Sequence, residues 1–170
     1  VELPVIVELE LVEHVMTAVR AGVPVLGAKG YSLVLPRLKP HPTRSLHLAE
    51  RKIAVNPHED ALRISGTLEL VDEHLSITHR RVQAIARAAK GMLPLPEPLE
   101  VRELWRGLRP CTPDGMPMIG RANGIGNLWL STGHQMVGLK TAPASARLLA
   151  DLMTGRAPSY DPQPFRPDRY

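Results

Sequence analysis

The chain has 170 residues, 44% of them hydrophobic and 22% charged, with a net charge of +4. This is the balance of a soluble globular protein large enough to bury a core. The basic residues are scattered and aromatics make up only 4%, too few for a base-stacking platform, which argues against nucleic acid as a partner.

No apolar run approaches the ~20 residues of a membrane-spanning helix, so no transmembrane segment is expected. The single cysteine, Cys111, excludes an internal disulfide and points to a reducing compartment. The first ten residues, VELPVIVELE, carry acid where a secretory signal carries base. The expected location is the cytoplasm, the inner face of the membrane included.

Residues 9–22 place Leu9, Leu11, Val12, Val15, Met16 and Val19 at near-helical spacing, with Gly22 and Pro24 as stops. Residues 23–35 read as a strand broken at its glycines, and the prolines of 36–45 mark a loop. Residues 46–55 and 61–71 read as a hairpin turned at 56–60. Within it, Leu62, Ile64, Gly66, Leu68 and Leu70 alternate as one buried sheet face. The period switches over 76–90, where Val82, Ile85, Ala86 and Ala89 form a helical face before Gly91. Residues 99–108 return to strand, and 127–132 form a short apolar strand. Thr141 then caps a helix with Pro143 in its first turn, running to Met153 with Gly155 as stop.

The pattern predicts an α+β fold, an antiparallel or mixed sheet covered by helices. It divides into an N-terminal segment (1–22), a sheet domain (23–108), a segment over 109–155 and a proline-rich tail (156–170). The tail reads as an extended arm, not a packed element. His41, His47, His58, His74 and His79 lack a two-ligand helical spacing, so no metal site is expected.

Three segments carry candidate chemistry. Arg109, between Gly107-Leu108 and Pro110, offers a planar fork able to grip a carboxylate with two hydrogen bonds. Pro113-Asp-Gly115 is a turn, because proline presets φ and glycine accepts a positive one. Gly133-His-Gln-Met-Val-Gly138 leads into a helix start, where close backbone approach and exposed amides suit a flat, anionic ligand. Taken singly, these also read as a structural arginine, a tight turn and an ordinary strand–turn–helix.

Taken together, residues 107–120, Gly-Leu-Arg-Pro-Cys-Thr-Pro-Asp-Gly-Met-Pro-Met-Ile-Gly, and residues 131–138, Ser-Thr-Gly-His-Gln-Met-Val-Gly, resemble the C-terminal signature of the D-amino-acid oxidase superfamily of flavin-dependent amine oxidoreductases. Within it the likeness is to the bacterial D-amino-acid dehydrogenases. Lys29-Gly-Tyr-Ser-Leu33, the strand Arg63-Ile-Ser-Gly-Thr-Leu-Glu-Leu70 and the ending of the chain over 161–170 extend the resemblance across roughly residues 23–170.

The resemblance implies a substrate-binding sheet domain followed by the C-terminal part of an FAD-binding domain. It implies FAD as cofactor and a D-amino acid or similar amine as substrate. Arg109 would bind the substrate carboxylate and Tyr31 would line the substrate. Gly30, Gly115, Gly133, His134, Val137, Gly138, Leu139 and Lys140 would contact the flavin, mainly through backbone. Hydride would pass from Cα to flavin N5, and the imino acid would hydrolyse to a 2-oxo acid and ammonia. No side chain need act as a catalytic base if the amine arrives neutral, and Cys111 occupies a variable position of the motif. Lys140 either adds positive charge near flavin N1 or points to solvent. Glycine oxidases place substrate-facing tyrosines on the strand matching 46–55, which here holds no aromatic residue.

No Gly-x-Gly-x-x-Gly turn occurs, and Gly124-Ile-Gly126 is too short to be one. The expectation is therefore the C-terminal part of an enzyme, inactive alone and binding FAD weakly or not at all. The alternative is a non-catalytic remnant, or an interaction module completed by a separate FAD-binding chain. Surfaces left uncovered in either case would favour a homo-oligomer.

Overall fold

The computed structural model describes residues 23–71 and 75–170. The helix read over 9–22 lies outside the described residues, as does His74. Two compact units emerge, one spanning Lys29–Leu108 and the other Arg109–Tyr170 together with residues 23–28. The architecture is α+β.

The first unit is built on strands β1 (Leu26–Pro36), β2 (Leu46–Leu48), β3 (Ile53–Pro57), β4 (Ala61–Val71) and β5 (Glu103–Cys111). They form one sheet in the order β2-β3-β4-β1-β5, and β2–β3 and β3–β4 pair antiparallel. β1 runs unbroken through Gly27 and Gly30, contrary to the break expected there. Residues 28–33 are buried in succession, the pattern of an interior strand, and neither glycine takes a positive φ.

The segment expected as one strand over 46–55 is two. A turn of 3-10 helix at Ala49–Arg51, closed by Lys52 at φ 54°, separates β2 from β3. The reason is parity. Leu46 and Leu48 are even-numbered and Ile53 and Val55 odd, so one continuous strand would send them to opposite faces. Folding back pairs Leu46 with Val55 and Leu48 with Ile53, which puts all four on one side.

β4 also departs from simple alternation. Leu62 and Ile64 are buried as expected, but Leu68 is exposed and Leu70 is 64% exposed. Thr67, at φ 57°, lies between the two halves of the strand and inverts the facing of the second half. That inversion turns Glu69 inward.

Helix α1 (His79–Lys90) packs Ile85 and Ala89 onto Tyr31, Leu33, Leu35, Ile53, Val55, Leu62 and Ile64, with Val82 and Ala86 at the margin. Burying Ile85 contributes about 1.5–3 kcal/mol. The helix starts at His79, three residues later than the apolar pattern suggested. Thr78 is its N-cap residue, but the Thr78 hydroxyl donates to Glu69 instead of capping the helix.

Glu69 gathers several donors. Lys29, only 1% exposed, places Nζ 2.8 Å from Glu69 Oε1 and also donates to the Ser76 carbonyl at 2.8 Å. The Tyr31 hydroxyl donates to Glu69 Oε1 at 2.6 Å and accepts the Thr78 N–H at 3.1 Å. Arg81 Nε lies 2.8 Å from Glu69 Oε2. This cluster ties β1 and β4 to the start of α1.

The second unit centres on β6 (Met118–Arg121) and β7 (Trp129–Thr132), paired antiparallel from Met118–Thr132 to Arg121–Trp129. Helix α2 (Gly138–Met153) packs on both strands. It begins at Gly138, not at Thr141. Thr141 lies in the first turn, where its hydroxyl donates back to the Val137 carbonyl at 3.1 Å. Pro143 consequently occupies the second turn, where its missing N–H deprives the Leu139 carbonyl of its helical donor. The far end matches expectation, with Gly155 at φ 68° just past the helix.

The tail is packed, contrary to the extended arm expected. A turn of 3-10 helix at Gln163–Phe165 lies against β6, and Arg169 bonds to Asp114. Proline content gave the right absence of regular structure but said nothing of these side-chain anchors. Among the described residues no helix is long and apolar enough to cross a membrane.

Candidate functional site

β5 delivers Arg109, Pro110 and Cys111 as its last residues. Arg109 therefore lies inside a strand, which continues past residue 108 where it was expected to end. Its side chain is half-buried, and among the described residues its guanidinium has no hydrogen-bond or ion-pair partner. Burial pushes the neighbouring Cys111 thiol above its ordinary value despite the Arg109 charge, so it stays protonated.

The chain then turns. The Gly115 N–H donates to the Thr112 carbonyl at 3.2 Å, and the Thr112 hydroxyl donates to the Met116 carbonyl at 2.8 Å. Asp114 Oδ1 accepts the Met116 N–H at 3.0 Å, an Asx-type closure. Gly115 takes φ 78°, which a glycine supplies without strain.

The second motif folds back onto the first. Cys111 and His134 form an antiparallel bridge, and the Gln135 N–H donates to the Pro110 carbonyl at 3.1 Å. A Cβ placed on Gly115 would lie 3.1 Å from Gln135 Nε2, and one on Gly133 only 2.5 Å from Thr112 Cγ2. Gly133 also takes φ 81°. Its smallness is thus demanded by Thr112 before any ligand is considered. Gly133→Ala is expected to cost about 2–4 kcal/mol through steric overlap and left-handed strain. Denaturant unfolding checks this, and an unchanged midpoint would remove the close approach as the reason for the glycine.

Beyond the loop, the Val137 N–H donates to the His134 carbonyl and opens α2. Its first turn holds no acidic side chain, and the N-cap residue Val137 makes no side-chain cap. The partial positive charge of the helix start is therefore not neutralised locally. His134 Nε2 lies 2.9 Å from Ser145 Oγ, which fixes the loop against the body of α2. Burial lowers the His134 pKa and favours the neutral ring. Met116, Met136, Val137 and Leu139 are exposed apolar side chains on the turn, the loop and the helix start, and Lys140 is exposed beside them.

Of the residues singled out from sequence, this unit contains Arg109, Gly115, Gly133, His134, Val137, Gly138, Leu139 and Lys140. Gly30 and Tyr31 belong to the other unit. Gly30 is buried mid-strand in β1. Tyr31, which the resemblance implied would line the substrate, is 2% exposed and its hydroxyl is committed to Glu69. The physical reason is its place in the continuously buried run of β1. Thr112, Gln135 and Ser145 were not singled out, although each fixes a candidate residue. Gln135 adopts φ 50°, unusual for a side-chain-bearing residue, and no local pattern signals it. Asp114 is bonded to Arg169 and Tyr170, and the hydrogen bonds from Arg169, foremost, hold its carboxyl well below the usual carboxylate range.

The family model described as FAD dependent oxidoreductase (DAO) matches residues 10–152. The D-amino acid dehydrogenase of Chromohalobacter salexigens is 39% identical over 149 residues, covering 86% of this chain and 35% of that protein. The D-amino acid dehydrogenase of Methylobacterium radiotolerans is 38% identical over 139 residues, covering 81% and 33%. The chain thus spans about a third of the length of these curated relatives. The crystal structure of glycine oxidase from Geobacillus kaustophilus matches with a TM-score of 0.79 at 24% identity, covering 91% of this chain and 42% of that one, a likeness of fold alone. With a family match across most of its length, and with both signature motifs folded into one loop cluster, the chain belongs to the FAD-dependent oxidoreductase (DAO) family.

Proposed function

We propose that this chain supplies the carboxylate anchor and part of the flavin-facing surface of an FAD-dependent dehydrogenase of D-amino acids. The observation that carries the reading is Arg109, a half-buried guanidinium without a partner among the described residues, on the strand bridged to the 133–138 loop. The D-amino acid dehydrogenases it resembles supply the substrate class.

The residues present fit FAD. Gly133 and Gly115 hold the two loops in backbone conformations that bring them together. The backbone of 133–138 and the uncapped start of α2, through Leu139 and Lys140, suit the anionic edge of a flat ring. The exposed Met116, Met136, Val137 and Leu139 offer it an apolar surface. When bound, FAD supplies the two-electron oxidant for the substrate Cα–N bond.

This chain's own part is orientation. The Arg109 fork holds the carboxylate at two points and so fixes the direction of Cα. His134, its ring paired with Ser145 and its neutral form favoured by burial, keeps the loop in register with α2. The positive charge of Lys140 adds to that of the helix start. With the amine arriving neutral, no side chain is needed as a base, and water completes conversion of the product imine to a 2-oxo acid and ammonia.

Two measurements test the reading. Titration of the purified chain with FAD, by fluorescence and calorimetry, is expected to show weak binding or none, because its 170 residues contain no Gly-x-Gly-x-x-Gly turn for the pyrophosphate. The flavoenzyme containing this chain is expected to lose its visible flavin absorbance anaerobically on addition of a D-amino acid, and not of its L enantiomer. A flavin left oxidised by every D-amino acid tried ends the reading.

A further inference from the structure

The turn inside the first motif is held from outside by the last residues of the sequence. Arg169, its side chain only 12% exposed, grips Asp114 with both arms: Nε donates to Oδ2 at 2.8 Å and Nη2 to Oδ1 at 3.0 Å. Nη2 also donates to the Met116 carbonyl at 2.7 Å, and Nη1 to the Arg166 carbonyl at 2.9 Å. The Tyr170 hydroxyl accepts the Asp114 N–H at 3.3 Å, while the Arg169 guanidinium lies 4.7 Å from the Tyr170 ring centre. Pro167 sits close against Gly120 on β6, where an added Cβ would come within 3.1 Å of it.

These contacts exceed what an Asp-Gly turn needs. The turn closes on itself through Asp114 Oδ1 and the Thr112 hydroxyl. The fork adds a bidentate, charge-assisted anchor that fixes where the closed turn lies. That location matters because the turn abuts the second motif, with Gly115 beside Gln135 and Thr112 beside Gly133. A continuous path of contacts thus runs from Arg169 through Asp114 and Gly115 to the loop that opens α2.

We infer that Arg169 is a positioning residue, which through Asp114 sets the placement of the 112–116 turn and of the 133–138 loop resting on it. This rests on the function proposed above, in which that loop faces the flavin and Arg109, three residues before the turn, faces the substrate. Misplacing such a loop by about 1 Å degrades alignment of the reacting groups more than it degrades binding.

The test uses the flavoenzyme containing this chain, with Arg169→Met, Arg169→Lys, Asp114→Asn, Tyr170→Phe and the Asp114→Asn/Arg169→Met pair. With FAD content matched to wild type, the rate of flavin reduction at saturating D-amino acid is expected to fall about tenfold in Arg169→Met, with KM within about twofold. Arg169→Lys keeps the charge without the fork and is expected to rescue only part of that loss. Tyr170→Phe, which keeps the fold, is expected to slow reduction two- to threefold in the same direction. The pair is expected to be no slower than Arg169→Met alone, since both changes break one link.

Hydrogen exchange on the same proteins is expected to quicken at Gly115, Met116 and Gln135. Exchange that quickens at the turn but not at Gln135, or reduction at the wild-type rate in Arg169→Met, overturns the inference. If the wild-type flavoenzyme is reduced by no D-amino acid, the functional reading has failed. The positioning role then stands or falls on Gln135 exchange and on a shift of the visible flavin band in Arg169→Met.

Discussion

Arg109→Met, in the flavoenzyme that contains this chain, is expected to lower kcat/KM for a D-amino acid by about 10²–10⁴-fold. A hydrogen bond to a charged group contributes roughly 1.5–3 kcal/mol, and a guanidinium fork makes two to one carboxylate. Every ~1.4 kcal/mol is a factor of ten. The loss is expected in both KM and kcat, because the fork binds the carboxylate in the ground state and also fixes the direction of Cα. Arg109→Lys should recover only part of it, since an ammonium cannot make the paired contact. An amine lacking the carboxylate provides the control: its slow oxidation should be almost indifferent to Arg109→Met. Steady-state kinetics on the acid and the amine decide the matter. An equal loss for both would show that Arg109 supports the strand and not the substrate.

The second large effect is one of stability and lies in the Lys29–Glu69 cluster. Glu69 is held down at about 2, against an ordinary 4.5, by the hydrogen bonds from Lys29 foremost and then Tyr31, against the opposing effect of burial. Burial opposes the Lys29 charge too, but the bonds to Glu69 and Tyr31 outweigh it and raise its pKa. Both groups are therefore charged at neutral pH. A carboxylate depressed on folding stabilises the native state above its unfolded value and loses that contribution as pH falls. For Glu69 the window runs from about 4.5 down to about 2, and the contribution is about 3 kcal/mol.

Glu69, 13% exposed, is screened too little by solvent to cancel this. Glu69→Ala at neutral pH is expected to cost a similar ~3 kcal/mol, because it takes the carboxylate from an ammonium in the interior. Lys29→Met combined with Glu69→Leu should cost less than the sum of the two single changes. Urea unfolding at pH 7 and at stepped lower pH measures both effects. A Glu69→Ala protein whose stability falls with acid as steeply as that of wild type would remove Glu69 as the source.

The motifs at 107–120 and 131–138 were legible because their residue types are tied to local backbone demands. Pro113-Asp-Gly115 forms a turn on its own account, and Gly155 ends α2 on its own account. The α1 face at Ile85 and Ala89 was legible because a 3.6-residue period survives any packing partner. The β2–β3 reversal was only partly legible. The switch from even to odd apolar positions between Leu48 and Ile53 is visible in the residues, but no Gly or Pro marks a turn between them.

Other features had no local signal. The inward turn of Glu69 depends on Thr67 adopting φ 57°, which nothing in Gly66-Thr-Leu-Glu69 announces. The burial of Tyr31 comes with that of β1 along 28–33, which Lys29-Gly-Tyr-Ser-Leu33 does not announce. The start of α2 shifted to Gly138 because the Val137 carbonyl accepts both the Thr141 amide and its hydroxyl, so Thr141 joins the helix instead of capping it.

The sequence by itself determined the α+β class and the periodic faces, and the resemblance of its two motifs pointed to the family. The class and the faces follow from residue type and short spacing, and the family follows from the matched motifs. Only the tertiary structure decided that Gly133 must be small because of Thr112, that Glu69 and Lys29 meet in the interior, and that Arg169 reaches back to Asp114. Those contacts join residues 21, 40 and 55 positions apart, and pairing at such separations is fixed by packing and charge compensation, which no local pattern encodes.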